Sequence, residues 1–333
     1  MYKNRLVVVL GLVLIVGMTA CSNLSDTNNT NAITSITPFD QQIKNNSLAI
    51  NKSETLAVAS YSDDRSVKVY DLKKKKLIAT LDYVTPRNIQ FASDGKSFYI
   101  SDSSLGVVQQ VSVKTLEVMH EARVGQGAFG FAVDKQKMFI NNEAANTVTV
   151  LNLDNWQIER VITGFANPRQ GVKVGPSGRY VYVTNFAGDD VRVIDTDSWQ
   201  IVKTLNGIPG VRAIAISPDE TKLYGASSKT NSLRVVSIKD NQILKILPTD
   251  KDPYGASLSG DGKTLITGNK EDGTVQVFNL ADNRLIKTIP GFDEPRQAII
   301  YSKTPGKIYV LQKDLSIVIV NYKDKNNIMH IIK

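Results

Sequence analysis

Cysteine and histidine are almost missing from this chain of 333 residues, which has one cysteine, Cys21, and two histidines, His120 and His330. A single cysteine excludes an intrachain disulfide, and three such side chains are too few for the usual zinc site of four histidine and cysteine ligands. The chain also has no G-x-S-x-G segment and no phosphate-binding loop of the G-x-x-x-x-G-K-[ST] type. We therefore predict no metal site and no cofactor, and we assign no catalytic residue.

Long apolar runs are also scarce, and the one that stands out lies at the start of the chain. "LVVVLGLVLIVG", Leu6 to Gly17, follows the basic residues Lys3 and Arg5 and precedes "MTAC". A run of this length is too short to span a bilayer comfortably and is typical of a secretory signal peptide. We predict a signal peptide over residues 1–20, and its removal lowers the net charge of the chain from +8 to +6.

The sequence "MTAC" resembles the lipobox of bacterial lipoproteins. The resemblance implies that Cys21 carries acyl chains such as palmitate and becomes the first residue of the mature chain, and several acyl chains are enough for stable anchoring. The alternative is an ordinary secretory signal followed by an incidental cysteine. Residues 21–46, with many Asn, Ser and Thr, then form a flexible tether. The expected location is the cell envelope, on an outer membrane facing the periplasm or at the cell surface.

The rest of the chain repeats one pattern. Seven copies align on a central residue at intervals of 42, 40, 43, 42, 42 and 43 residues, namely at Ala57, Tyr99, Phe139, Tyr182, Tyr224, Ile266 and Tyr309. Each copy has four short runs rich in Val, Ile, Tyr and Thr, separated by polar turns and without a sustained helical period. This predicts an all-β fold, a seven-bladed β-propeller of four-stranded antiparallel blades over residues 47–333. The alternatives are a β-solenoid and a stacked array of β-sandwiches.

Three of the copies also carry a family resemblance. "YVYVTN" (180–185), "SPDETKLYGAS" (217–227) and "SGDGKTLITGN" (259–269) resemble the YVTN-repeat family of bacterial seven-bladed propellers. The resemblance covers roughly residues 47–333 and implies a ring around a central channel, often exported, that binds a partner or serves as a scaffold. How the ring closes stays open: four strands in each copy need no strand exchange, but "AITSITPF" (32–39) could add beside the last blade as a latch.

Arginine recurs where the innermost strand of a copy begins, the place where propellers put residues around the channel mouth. The segments "TPRN", "NPRQ", "GVRA" and "EPRQ" contribute arginines, and "DPYG" contributes a tyrosine at the related position, which gives the candidate ligand-binding set Arg87, Arg169, Arg212, Arg296 and Tyr254. Guanidinium groups bind carboxylates and phosphates through paired hydrogen bonds, so the set predicts a site for an anionic ligand. In the structural alternative, each arginine only ties its strand to a neighbouring blade.

These observations leave three classes of function open. The first is a monomeric, lipid-anchored binding or scaffold protein whose partners are the membrane and an unknown protein or small anionic ligand. The second is a propeller enzyme, lactonase-like or quinoprotein-related, although such enzymes use channel histidines, acidic metal ligands or a cofactor. The third is a binder of polyanions or nucleic acid, a weaker interpretation because the net charge is mild and basic and aromatic residues are not regularly interleaved.

Overall fold

The computed structural model of the chain describes residues 43–326 and 328–333, and this part is almost entirely β-structure. Its strands form seven sheets, each of four antiparallel strands that follow one another in the sequence. The predicted all-β, seven-bladed propeller is therefore confirmed. The predicted signal peptide, Cys21 and the latch segment 32–39 lie outside the described residues. None of the described helices has the length and apolar character needed to cross a membrane.

Within each blade the strands run in order from the channel to the outer edge. Blades 1 and 2 consist of β1 (Asn46–Ile50), β2 (Leu56–Tyr61), β3 (Ser66–Asp71) and β4 (Lys76–Asp82), and of β5 (Pro86–Phe91), β6 (Ser97–Asp102), β7 (Val107–Ser112) and β8 (Val118–Arg123). Blades 3 and 4 consist of β9 (Ala128–Asp134), β10 (Lys137–Asn142), β11 (Thr147–Asn152) and β12 (Gln157–Ile162), and of β13 (Pro168–Val174), β14 (Tyr180–Asn185), β15 (Asp190–Asp195) and β16 (Gln200–Leu205).

The remaining three blades follow the same plan, and the innermost strand is shorter in blades 6 and 7. Blades 5 and 6 consist of β17 (Val211–Ile216), β18 (Lys222–Ser227), β19 (Ser232–Ser237) and β20 (Ile243–Pro248), and of β21 (Ser257–Leu258), β22 (Thr264–Asn269), β23 (Thr274–Asn279) and β24 (Arg284–Pro290). Blade 7 consists of β25 (Ile299–Tyr301), β26 (Lys307–Leu311), β27 (Ile317–Asn321) and β28 (Met329–Ile332). Two 3₁₀ turns, Phe186–Gly188 and Ser228–Thr230, connect the second and third strands of blades 4 and 5.

Strand pairing refines the alignment of the repeats in one place. Ser97 pairs with Ser112 at the start of β6, and the same pairing in blade 1 joins Leu56 to Asp71. Two residues further along each strand, Val58 of blade 1 corresponds to Tyr99 of blade 2. The sequence alignment on Ala57 was wrong by one residue there, because the small side chains of "TLAVAS" leave the alternation of that strand ambiguous.

Apolar side chains pack mainly between neighbouring blades, because each four-stranded sheet has two faces that need cover. The cluster between blades 4 and 5 contains Tyr182, Val191 and Leu205 from one blade and Ile208 and Leu223 from the next, all fully buried. The Tyr182 hydroxyl reaches past this cluster and donates to Glu220 at 3.0 Å. Burial raises the pKa of Tyr182, so the phenol stays protonated and available as a donor.

In five of the seven blades, the residue at the end of the second strand, or directly after it, holds the chain that enters the first strand. Asp102 accepts hydrogen bonds from the backbone N–H groups of Val84 and Thr85 at 2.8 and 2.9 Å. Asn185, the asparagine of "YVTN", accepts one from the backbone N–H of Ala166 in the same way. Corresponding bonds to this entering segment are made by Asn142, Ser227 and Gln312. In these five blades the bond therefore fixes where the innermost strand begins.

The ring closes by contacts between blades 7 and 1, and the described residues show no exchange of strands between them. The Tyr70 hydroxyl donates to the backbone carbonyl of Leu315 at 2.6 Å, and the carboxylate of Glu54 accepts from the Tyr309 hydroxyl at 3.0 Å. At the outer edge, the backbone N–H of Leu77 donates to the Lys333 carbonyl at 3.3 Å. Apolar residues of both blades form one shared cluster around Tyr70 and Tyr309. Hydrogen bonds as well as packing therefore cross the seam.

We expect Tyr70→Phe to destabilise the protein by about 1–3 kcal/mol, because the carbonyl of Leu315 loses its buried donor while the ring is kept. Urea denaturation of the variant and the parent protein measures the difference. Tyr180→Phe is the matched control, since the Tyr180 hydroxyl forms no hydrogen bond with a described residue. Equal stability of the two variants would show that the seam does not depend on this bond.

Asn185→Ala should cost about 1–3 kcal/mol as well, since the N–H of Ala166 and the carboxylate of Asp190 lose a partner in a nearly solvent-free place. Thermal and urea unfolding report the loss. Asn326→Ala, at an exposed turn, should stay within about 0.5 kcal/mol of the parent. An Asn185 variant as stable as the Asn326 variant would contradict the structural role assigned to the motif.

Candidate functional site

Seven residues, one from each blade, surround the end of the channel where the innermost strands begin. In the order of the blades they are Asn45, Arg87, Phe129, Arg169, Arg212, Tyr254 and Arg296, and we call them the mouth ring. All five residues predicted from the sequence belong to this ring. Direct contacts between residues of different blades, described below, show that the ring brings their side chains together.

A left-handed backbone residue precedes the mouth residue by two positions in five of the seven blades. Asn167, Asp252 and Glu294 have φ of 56°, 56° and 46°, and Gly127 and Gly210 have φ of 89° and 62°. Glycine, asparagine and aspartate adopt this conformation at the lowest cost. A Cβ atom on Gly127 would also lie 2.5 Å from the backbone N of Ala144. This turn, together with the bond from the end of the second strand, directs each following side chain to the mouth.

Guanidinium groups and aromatic rings alternate around one side of the mouth. The Phe186 ring lies between Arg169 and Arg212, with Cζ-to-centroid distances of 4.0 and 4.6 Å. The Tyr254 ring lies between Arg212 and Arg296, at 4.5 and 4.8 Å. Such contacts attract each cation to a ring face and hold the planar guanidinium groups in fixed orientations.

Arg87 and Arg296 donate hydrogen bonds to the protein's own chain, although the buried Nε of Arg296 has no partner among the described residues. Both are almost completely buried, at 0% and 3% exposure. Arg87 donates to the backbone carbonyl of Ile43 at 2.7 Å and to the Asn45 side chain at 2.8 Å, and Arg296 donates to the carbonyl of Lys44 at 2.8 Å. These two arginines therefore hold the chain segment 43–45 as it enters the first blade, and for them the structural alternative is the better description.

Arg296 also forms an ion pair with Glu294, at 2.9 Å. Burial alone would raise the pKa of Glu294, but hydrogen bonds from Lys313, Arg296 and Tyr61 outweigh it and lower the pKa to about 2. Glu294 is therefore ionised at any physiological pH, and it neutralises the charge that Arg296 brings into the interior.

Arg169 and Arg212 differ, because each uses only one donor nitrogen in hydrogen bonds with the described residues. Nε of Arg169 donates to Asn167, and Nε of Arg212 donates to Ser228 at 3.1 Å. Both side chains are partly exposed, and neither forms an ion pair with a carboxylate of the described residues. Burial lowers the pKa of Arg169, and the positive charge of Arg212 adds to this, yet an arginine keeps its charge at neutral pH. The terminal nitrogens of two adjacent cations thus remain available to an anion.

A network of side-chain amides closes the channel beneath the mouth ring. Asn45 donates to the Gln170 side chain at 3.0 Å, and Gln170 donates to Asn88 at 2.8 Å. Asn88 then donates to the backbone carbonyl of Phe131 at 2.9 Å. Only about 20 Å³ of space remains among the mouth residues, which is room for about one water. The space beside Arg169 and Arg212 within the channel is therefore too small for a group much larger than a water.

Sequence reasoning missed the two phenylalanines of the site. Phe129 stacks on Arg87, 4.5 Å from Cζ to centroid, and lies 42 residues after it, so the repeat interval was a sufficient signal. Phe186 follows the "YVTN" sequence directly, on a 3₁₀ turn of blade 4, and nothing in the repeat marks it. The basic and aromatic residues are thus interleaved in space although they are not adjacent in the sequence.

Other residues considered from the sequence lie away from the mouth. His120 is on the outer strand β8, where it stacks on Trp156 with 5.2 Å between ring centroids, and His330 is on the outer strand β28. Across residues 43–326 and 328–333, no three His, Cys, Asp or Glu side chains lie close enough together to hold a metal ion.

Comparison with known proteins identifies the architecture. No protein-family model matches the chain, and no curated protein matches it in sequence. Among solved structures, a chain of hydrazine synthase from Kuenenia stuttgartiensis superposes with a TM-score of 0.71 at 17% sequence identity, covering 86% of this chain and 94% of that one. At this identity the likeness is one of fold alone.

Proposed function

We propose that this protein is a lipid-anchored, extracytoplasmic propeller of the YVTN-repeat type that binds the anionic group of a ligand or partner protein at the mouth ring. The observation that carries the proposal is the pair Arg169 and Arg212, two partly exposed guanidinium groups stacked on one phenylalanine and without an ion pair among the described residues. Their terminal nitrogens offer the fork of donors that fits a carboxylate or phosphate.

The stacking makes this pair suited to binding. Ordering a free arginine side chain costs conformational entropy, which reduces the affinity for a ligand. Here the Phe186 ring and the bonds to Asn167 and Ser228 have already ordered both side chains. An arriving anion therefore forms two charge-assisted contacts, and little of their free energy is spent on ordering the arginine side chains. It also relieves the repulsion between the two guanidinium groups.

The anchoring part of the proposal rests on the sequence. "MTAC" resembles a lipobox, and the mature chain would begin at Cys21, 22 residues before the first described residue. Acyl chains on Cys21 would keep the propeller at a membrane surface of the cell envelope. The protein would then act as a receptor or scaffold that retains its partner near that membrane.

Replacing Arg212 by methionine should weaken the binding of inorganic phosphate by about 10- to 100-fold, because one charge-assisted contact of about 1.5–3 kcal/mol is lost. Isothermal titration of the mature protein with phosphate gives the affinity. Arg179→Met is the matched control, since Arg179 is 53% exposed and pairs with Asp195 and Asp197 away from the mouth.

Two results would contradict the mouth site. Equal affinities of the Arg212 and Arg179 variants for phosphate would show that the ring is not the place of binding. The affinity for long polyanions should be measured at several salt concentrations. A fall with salt that is steeper than two charge contacts explain would favour the polyanion hypothesis instead.

Cys21→Ser should move the protein from the membrane fraction to the soluble fraction and abolish its labelling by radioactive palmitate, because the thiol is the attachment point of the lipid. Fractionation of the expressing cells and fluorography measure both effects. Ser22→Ala is the control and should leave the protein membrane-bound. A Cys21 variant that stays in the membrane fraction would contradict the anchoring proposal.

A further inference from the structure

Beneath the amide network the channel widens into a cavity of about 420 Å³ that is lined by all seven innermost strands. Its described wall is made of apolar, amide and hydroxyl side chains, and it contains one charged residue, Lys173. No Asp, Glu, His or Arg contributes to this wall. A cationic amine thus stands in a narrow passage without a counter-charge.

Lys173 has no hydrogen bond or ion pair with any described residue, and its side chain is exposed to the channel. The innermost strands of the seven blades surround the channel in which it stands, and the partial loss of water there lowers the pKa of the amine. Leaving a charged amine unpaired in such surroundings costs free energy, which an anion placed beside it would recover.

Gln90 supplies a second donor at the same depth of the channel. Lys173 pairs in register with Tyr182, and Gln90 pairs with Tyr99, and these two tyrosines occupy the same position of the repeat. The Gln90 amide is also without a hydrogen bond to any described residue. Small residues, Ala132 and Ser257, line the cavity at this depth and leave it open.

The cavity communicates with the face of the propeller opposite the mouth ring. An adjoining cavity of about 560 Å³ shares Gln90 with it and is lined on that face by Lys52 and Lys135 from turns and by Asp134 at the end of β9. Toward the mouth, the amide network of Asn45, Gln170 and Asn88 blocks the passage. A small molecule therefore reaches Lys173 without passing the arginines.

We infer that the channel contains a second anion site, formed by Lys173 and Gln90, that takes a small oxyanion such as a carboxylate or phosphate from the face opposite the mouth. The site is independent of the one proposed at the mouth ring, because the amide network separates them. The charged groups near this site are Lys52, Lys135 and Asp134, which line the adjoining cavity at the opening.

Competitive acetylation of the full mature protein, with each lysine quantified by mass spectrometry, tests the site. A bound oxyanion favours the charged amine and raises its pKa, and a rise of one unit lowers the amount of reactive free amine about tenfold. We therefore expect acetate or phosphate to slow the labelling of Lys173 by about that factor, while sodium chloride at equal ionic strength slows it much less. Lys114, exposed on a turn, serves as the internal control and should respond equally to all three salts.

Two variants separate this site from the mouth and from simple screening. Gln90→Leu should reduce the protection of Lys173 by acetate and phosphate, whereas Arg212→Met should leave it unchanged. Protection by acetate alone or by phosphate alone supports the site and identifies the anion it prefers. Labelling of Lys173 that responds to the three salts as Lys114 does would overturn the inference.

Discussion

Four arginines meet at one end of a narrow channel, and the contacts between their guanidinium groups and the aromatic rings keep this arrangement in place. Like charges in a confined and partly dry space repel one another strongly. The rings of Phe186 and Tyr254 each separate two guanidinium groups and attract both through their faces. Without these two rings, we expect the guanidinium groups of Arg169 and Arg212 to turn outward to water. Their donor nitrogens would then no longer have a fixed orientation at the mouth.

The same position of the repeat serves two different purposes around the ring. Arg87 and Arg296 flank the first blade and donate to the backbone carbonyls of residues 43 and 44, so they complete the closure of the ring. Arg169 and Arg212 lie farther from the entering chain and keep their terminal nitrogens available. The entering segment thus occupies one part of a cationic ring and leaves the terminal nitrogens of the other part without a partner among the described residues. A repeat duplication that supplied arginine to several blades would produce both roles.

Much of the fold was predictable from the sequence, because a repeat of about 42 residues with four short strands leaves few alternatives to a closed propeller. The place of the arginines was predictable as well, since they follow the turn that opens each innermost strand. Their different roles were not predictable. These depend on which side chains of other blades stand beside them, such as Phe186 from a turn that the repeat does not mark. Lys173 escaped notice for a related reason: within "QGVKV" it resembles any exposed residue of a strand. Only the ring turns that position toward the channel.

The central claim is that Arg169 and Arg212 form an anion receptor while Arg87 and Arg296 hold the protein's own chain. A high-resolution crystal structure of the protein purified from its own cells tests it most directly. The account predicts electron density for an anionic group within hydrogen-bond distance of the terminal nitrogens of Arg169 and Arg212, with residues 43–45 still bound to the other two arginines. It would be contradicted by a mouth in which Arg169 and Arg212 are turned away and paired with carboxylates of the protein itself.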